Sequence, residues 1–183
     1  MFQNFIGNED LKETVLSAVR SGRFPHAFIL EGEEGSGRHT LARIIAAAAV
    51  CQSEDAPCGS CRECELIKKD GLSDVLTYKP DGATFKVDLV RQIRENAFVL
   101  PIESKRKVNI LLDCDKMNES AQNAFLKILE EPPEDCMFIL TTTNRGAVMP
   151  TILSRVRTYN FYQRDIDKKI KFIKKDKTIK DNL

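Results

Sequence analysis

A chain of 183 residues, 42% of them hydrophobic, has enough apolar side chain for one core with some appended structure. Its formal net charge of +1 argues against a generally basic nucleic-acid binder. No apolar run approaches the roughly 20 residues of a membrane span, and residues 1–5 lack the basic-then-apolar order of a signal peptide.

Taken in order, Asn8 is placed to cap a helix running to about Arg20, with Leu11, Val15, Ala18 and Val19 at helical spacing. Residues 21–25 end it, and 27–30 read as a buried strand leading into a glycine-rich turn. A helix over 38–50 follows, its alanine run carrying high helix propensity. Residues 51–64 interrupt the pattern, and 62–69 form a short helix beyond them. Residues 75–78 read as a second strand and 79–82 as a turn. The spacing predicts a helix over 87–99, with Val87, Val90, Ile93, Arg94 and Ala97 on one side and Pro101 closing it.

The near-continuous apolar run over 108–113 suits a parallel strand covered on both faces, and it ends in the carboxylate of Asp113. Asn118, Glu119 and Ser120 open a helix with Ala121, Ala124, Phe125, Ile128 and Leu129 inside, which Pro132 and Pro133 terminate. A strand over 137–142, a short helix from Pro150 and a last strand over 156–162 complete the alternation. Such alternation predicts an α/β fold, a parallel sheet with helices on both faces. The lysine-rich tail places Ile166, Ile170 and Ile173 at helical spacing, the pattern of an amphipathic helix or of a frayed, solvated end.

Two stretches carry chemistry. The first is Gly32-Glu33-Glu34-Gly35-Ser36-Gly37-Arg38-His39-Thr40, between a strand and a helix. That layout points backbone N–H groups and the positive end of a helix at an anion. The nucleotide-hydrolysing pattern needs Lys and then Ser or Thr after the last glycine; here Arg38 and His39 stand there. Guanidinium donors suit phosphate oxygens, but His39 has no hydroxyl for Mg²⁺, so ATP binding is expected to be weak or absent. The second stretch holds Cys51, Cys58, Cys61 and Cys64 at spacings suited to a tetrahedral Zn²⁺ site. Overlapping Cys-x-x-Cys steps argue against a simple redox pair. Cys114 and Cys136 stand alone in apolar stretches, and thiols used this way fit a reducing cytoplasm.

The phosphate loop, the four cysteines directly after its helix, the run Asn123-Ala124-Phe125-Leu126-Lys127-Ile128-Leu129-Glu130-Glu131-Pro132-Pro133 and the later Thr151-Ile152-Leu153-Ser154-Arg155 occur together in this order. In this the chain resembles the AAA+ clamp-loader subunits of bacterial DNA polymerase III, over residues 1–162. Within that family, Arg38 and His39 resemble the delta-prime branch, because the gamma/tau motor branch keeps an intact Lys-Thr loop.

The resemblance implies an AAA+ core over 1–163 with a zinc module inserted at about 51–64, and a truncated helical lid beginning in 164–183. It implies a degenerate nucleotide site of Gly32, Gly35, Gly37, Arg38, His39, Thr40 and Asp113, where one or other residue of the Mg²⁺-and-base pair near Asp113 is lost. Thr142, Thr143 and Asn144 fall where the family places its first sensor. Arg155, with Ser154, corresponds to an arginine finger given to a neighbouring subunit. The implied function is support of ATP-driven sliding-clamp loading, in the cytoplasm. Gamma/tau and delta subunits, the clamp and primer–template DNA are the implied partners, and a membrane is not among them. The rival readings are an ATP-hydrolysing gamma/tau-like motor and a zinc-stabilised scaffold outside replication.

Overall fold

The computed structural model describes residues 9–160. Asn8, the residues beyond Asn160 and the lysine-rich tail lie outside the described residues. Helix α1 spans Glu9–Ser21, followed by β1 (Ala27–Glu31), α2 (Arg38–Val50), α3 (Arg62–Lys68) and β2 (Val75–Tyr78). Then come α4 (Val87–Ala97), β3 (Lys107–Leu111), α5 (Glu119–Glu130), β4 (Cys136–Thr142), α6 (Pro150–Leu153) and β5 (Arg157–Asn160).

Among the described residues, five strands form one parallel sheet in the order β2-β3-β4-β1-β5. Alternation along each strand divides the core between the two faces. Phe28 and Leu30 of β1, Val108 and Ile110 of β3, and Met137 and Ile139 of β4 join the α1, α2 and α3 layer. Ala27, Ile29, Leu111, Phe138 and Leu140 join α4, α5 and α6. The expected α/β sheet with helices on both faces is the observed one. Because β1 lies between β4 and β5, the chain reverses direction across the sheet beside the phosphate loop, the position where open α/β sheets form ligand crevices.

Two details depart from the sequence reading. Helix α4 stops at Ala97 rather than continuing to Val99, and Arg94 lies exposed rather than on its inner side. The early end traces to Asp74, fully buried at 0% exposure. Its carboxylate accepts from the amides of Ile102 (2.9 Å), Glu103 (2.6 Å) and Ser104 (2.8 Å) and from the Ser104 hydroxyl (3.0 Å). That anchor pulls the chain out of the helix before Pro101 and leaves Phe98, Val99, Leu100 and Ile102 exposed. The second departure is β3, which ends at Leu111, so that Asp113 sits in a left-handed turn at φ 53. Aspartate tolerates that conformation better than most residues.

Candidate functional site

The phosphate loop leaves the carboxyl end of β1. Gly32 is tied to the end of β4 by its amide, which donates to the Thr142 carbonyl at 3.0 Å. The turn is made by Gly35 at φ 74 and Gly37 at φ 93, a region in which a side chain would be strained. Gly37 is the N-cap of α2 and brings no side chain to its first turn. The Ser36 amide folds back on the Glu33 carbonyl at 3.1 Å. His39 and Thr40 follow in the first turn of α2, half-buried and exposed respectively.

Arg38 does not point outward. It is 5% exposed, and its Nη1 donates to the carbonyls of Glu33 at 2.8 Å and Gly32 at 3.3 Å. Its Nη2 donates to Asp113 Oδ1 at 2.7 Å. The same carboxylate oxygen lies 3.2 Å from His39 Nε2, and Lys116 Nζ lies 3.7 Å from the other oxygen. The Asp113 amide donates to the buried Thr141 hydroxyl at 2.9 Å, which fixes the turn. Burial would raise the Asp113 carboxyl's pKa, but hydrogen bonds from Arg38 and His39, with the charge of Arg38, outweigh it and hold the group below the usual carboxylate range.

Of the acidic residues at the end of β3, Asp113 alone meets the loop. Cys114 is buried at its position in the turn, where burial raises its thiol far above the ordinary value. Asp115 is turned to β4, accepting from the Thr142 hydroxyl at 2.9 Å and the Thr143 hydroxyl at 3.1 Å. Asn144 is engaged locally, its Oδ1 accepting from the Gly146 amide at 3.0 Å. Lys116 and Thr141 escaped the sequence reading. Lys116 carried a signal, its spacing of three from Asp113, whereas Thr141 carried none, since its contact depends on strand register.

The four cysteines converge. Cys51 caps the end of α2, Cys58 precedes the turn at Gly59, Cys61 is the N-cap of α3, and Cys64 lies in its first turn. Their sulfur atoms all lie within 4.8 Å of one another, and Cys51 Sγ is 3.7 Å from both Cys58 Sγ and Cys61 Sγ. A tetrahedron with Zn–S bonds of about 2.3 Å has sulfur–sulfur edges of about 3.8 Å, so the thiols fit a four-coordinate zinc site. The backbone amides of Ser60 and Cys61 draw the Cys58 thiol down to about 6, favouring the thiolate a metal needs. Burial pushes the Cys64 thiol up to about 11. Four protein ligands leave no open position for water, so such a site is structural. Around it, Lys68 Nζ donates to the Gly59 carbonyl at 2.6 Å, and Arg62 pairs with Glu103 at 3.0 Å across to the loop before β3.

Ser154 and Arg155 follow α6. Ser154 Oγ donates to the Thr151 carbonyl at 3.0 Å, closing the helix end. Arg155 is exposed, its Nη1 donating to the same carbonyl at 2.9 Å and its Nη2 lying 3.3 Å from Glu130 Oε1. Glu130 ends α5, so the Leu-Glu-Glu-Pro-Pro run and the Ser-Arg pair meet in space. Both belong to the amino-terminal edge of the sheet. Arg157, two residues on, is level with Phe28, and α5 leads into the start of β4. The phosphate loop leaves from the opposite, carboxyl-terminal edge. Three residue steps from Phe28 to Glu31 at about 3.3 Å each separate those levels by about 10 Å, so Arg155 and the chain's own loop lie on different edges.

Among the described residues, no helix is long and apolar enough to cross a membrane. In comparisons with known proteins, residues 7–165 match the family described as DNA polymerase III, delta subunit. The tau subunit of DNA polymerase III from Bacillus subtilis (strain 168) is 36% identical over 163 residues, 87% of this chain and 29% of that protein. The delta' subunit from the same organism is 33% identical over 146 residues, 79% of this chain and 44% of that protein. A crystal structure of a DNA polymerase III gamma subunit-related protein from Thermotoga maritima matches with a TM-score of 0.65 at 27% identity, covering 86% of this chain and 47% of that one. The chain therefore spans less than half the length of each of these proteins. With the parallel sheet and the loop after its first strand, the match makes the chain a member of the DNA polymerase III, delta subunit family, within the AAA+ clamp-loader subunits.

Proposed function

We propose that this chain is the core of a delta-prime-type clamp-loader subunit. It supports ATP-driven loading of the sliding clamp onto primer–template DNA without hydrolysing ATP itself. It works beside gamma/tau and delta subunits and lends Arg155 to the nucleotide of a motor neighbour. On this reading residues 1–163 form the AAA+ core, residues 164–183 open a helical lid, and Zn²⁺ held by Cys51, Cys58, Cys61 and Cys64 braces the excursion between α2 and β2.

The observation that carries the reading is the position of Arg38. A hydrolysing loop directs a lysine at the β- and γ-phosphates and a hydroxyl at Mg²⁺. Here the cation is bound to the loop's own carbonyls and to Asp113, and His39 supplies no hydroxyl. Arg155 suits work in trans for a separate reason: it is exposed on the sheet edge opposite its own loop. A guanidinium that does not titrate is the group suited to charge developing on a transferring phosphoryl group. The exposed apolar residues Phe98, Val99, Leu100 and Ile102 give an assembly a surface to bury.

A gamma/tau-like motor is the second reading, favoured by the 36% identity to a tau subunit against 33% to a delta' subunit. The test is MgATP binding and turnover by the purified chain. Absence of both supports the first reading; tight MgATP binding, or turnover at about 1 s⁻¹ or faster, the usual enzyme range, supports the second.

A further inference from the structure

In a hydrolysing loop the strand-end aspartate holds Mg²⁺ and so favours nucleotide. The geometry here gives that carboxylate the opposite task. Arg38 Nη2 at 2.7 Å, His39 Nε2 at 3.2 Å and Lys116 Nζ at 3.7 Å converge on Asp113. These are the side chains that could otherwise meet phosphate oxygens. Arg38 Nη1 is taken by the Glu33 and Gly32 carbonyls, which hold the guanidinium against the loop. The closed arrangement is incompletely satisfied: Ser36 Oγ and Arg38 Nε are buried in the same loop without hydrogen-bond partners. Both therefore have hydrogen bonds to gain from an incoming anion.

We infer that Asp113 is a latch: by holding Arg38 inside the loop, it is the residue that keeps nucleotide out. Freed from Asp113, Arg38 has a planar fork of donors that matches phosphate oxygens. It stands at the N-terminus of the 13-residue helix α2, where an anion is favoured. The ligand admitted is the polyphosphate of a nucleoside triphosphate, and its binding needs no Mg²⁺, because the Arg38 donors, the Ser36 hydroxyl and the N-terminus of α2 meet phosphate oxygens directly. The inference rests on the proposed reading of the loop as a degenerate nucleotide site and is independent of Arg155.

The test is titration of a fluorescent ATP analogue into the full chain without added Mg²⁺, comparing wild type, Asp113→Asn and Glu95→Gln. Close charge pairs couple strongly enough that releasing one is expected to tighten binding by about tenfold or more. Glu95 is exposed on α4, outside the phosphate loop, so Glu95→Gln removes the same charge without touching Arg38 and should leave affinity within about twofold of wild type. Tighter binding by Asp113→Asn alone supports the latch. A folded Asp113→Asn chain that binds no tighter, or an equal gain in Glu95→Gln, overturns it. If Asp113→Asn does not fold, nitrogen-15 spectra of arginine-labelled wild type decide the matter, with the Arg38 signals assigned by their loss in Arg38→Lys. Slowly exchanging Nη–H signals unmoved by millimolar ATP support the latch; signals that move with ATP overturn it. ATP turnover by wild type would instead overturn the degenerate-site reading, a distinguishable result.

Discussion

Arg38 and Asp113, 75 residues apart in sequence, form a 2.7 Å ion pair in which the arginine is almost wholly buried. The pair joins the start of α2 to the turn after β3, the two places where a hydrolysing relative of this fold grips nucleotide and Mg²⁺. Here they grip each other. The isolated chain is therefore expected to hydrolyse ATP at background rate. Replacing the pair of substitutions together, Arg38→Lys with His39→Thr, restores a compact point charge and a hydroxyl for the ion. This double variant should gain MgATP binding, read by thermal shift, before it gains turnover. No gain in binding by a folded double variant would mean that the obstruction lies elsewhere.

One tightly held Zn²⁺ per chain is expected at Cys51, Cys58, Cys61 and Cys64. Metal analysis of protein purified without chelator should give a stoichiometry near one. Cys61→Ser should lower it and destabilise the end of α2, since Cys51 and Cys64 belong to the same core layer as α2. Correctly folded wild-type protein without zinc would remove the metal from the account.

Asp74 makes stability depend on acid. Burial alone would raise its carboxyl pKa; the amides of Ile102, Glu103 and Ser104 and the Ser104 hydroxyl overcome that and lower it. A carboxyl depressed in the folded state contributes stability above about pH 4 and loses it as pH falls through the folded value. Asp113 adds in the same direction. Asp74→Ala removes the acceptor of these partly buried donors and leaves a cavity in place of the carboxylate; one orphaned buried group alone costs roughly 1–3 kcal/mol. A loss of about 3 kcal/mol at pH 7 corresponds to roughly 6–12 °C in Tm for a chain of this size. Urea unfolding of the variant against pH should show a flatter acid limb than wild type. An unchanged limb would mean that Asp74 does not set it.

Helix α2 was legible to its ends because local chemistry fixes both: the glycine turn before Arg38, and the departure of Cys51 toward its three partner thiols. Strands β1, β3 and β4 were legible as apolar runs, and the convergence of the cysteines as spacing. The end of α4 was not, because Pro101 marks only the last place a helix can stop, whereas Asp74, 28 residues before Ile102, ends it earlier. The direction of Arg38 was hidden for the same reason. The sequence shows an arginine where a lysine belongs; whether its donors face an anion or Asp113 depends on strand order. The ion pair of Arg155 with Glu130, 25 residues earlier, belongs to tertiary structure and carried no signal in the sequence.

The central claim is that Arg155 acts on a neighbour's nucleotide. Arginine fingers contribute roughly 10³–10⁵ in rate at their own site, and one site among several dilutes that in bulk turnover. The measurement is DNA-stimulated ATP turnover and clamp loading by a reconstituted loader carrying Arg155→Ala in the full-length subunit, with assembly checked by gel filtration. Assembly and zinc content should be unchanged, because one exposed guanidinium contributes little to a large interface. Turnover and clamp loading should both fall. Unchanged turnover and loading in a fully assembled mutant complex would contradict the account and leave Arg155 a surface partner of Glu130.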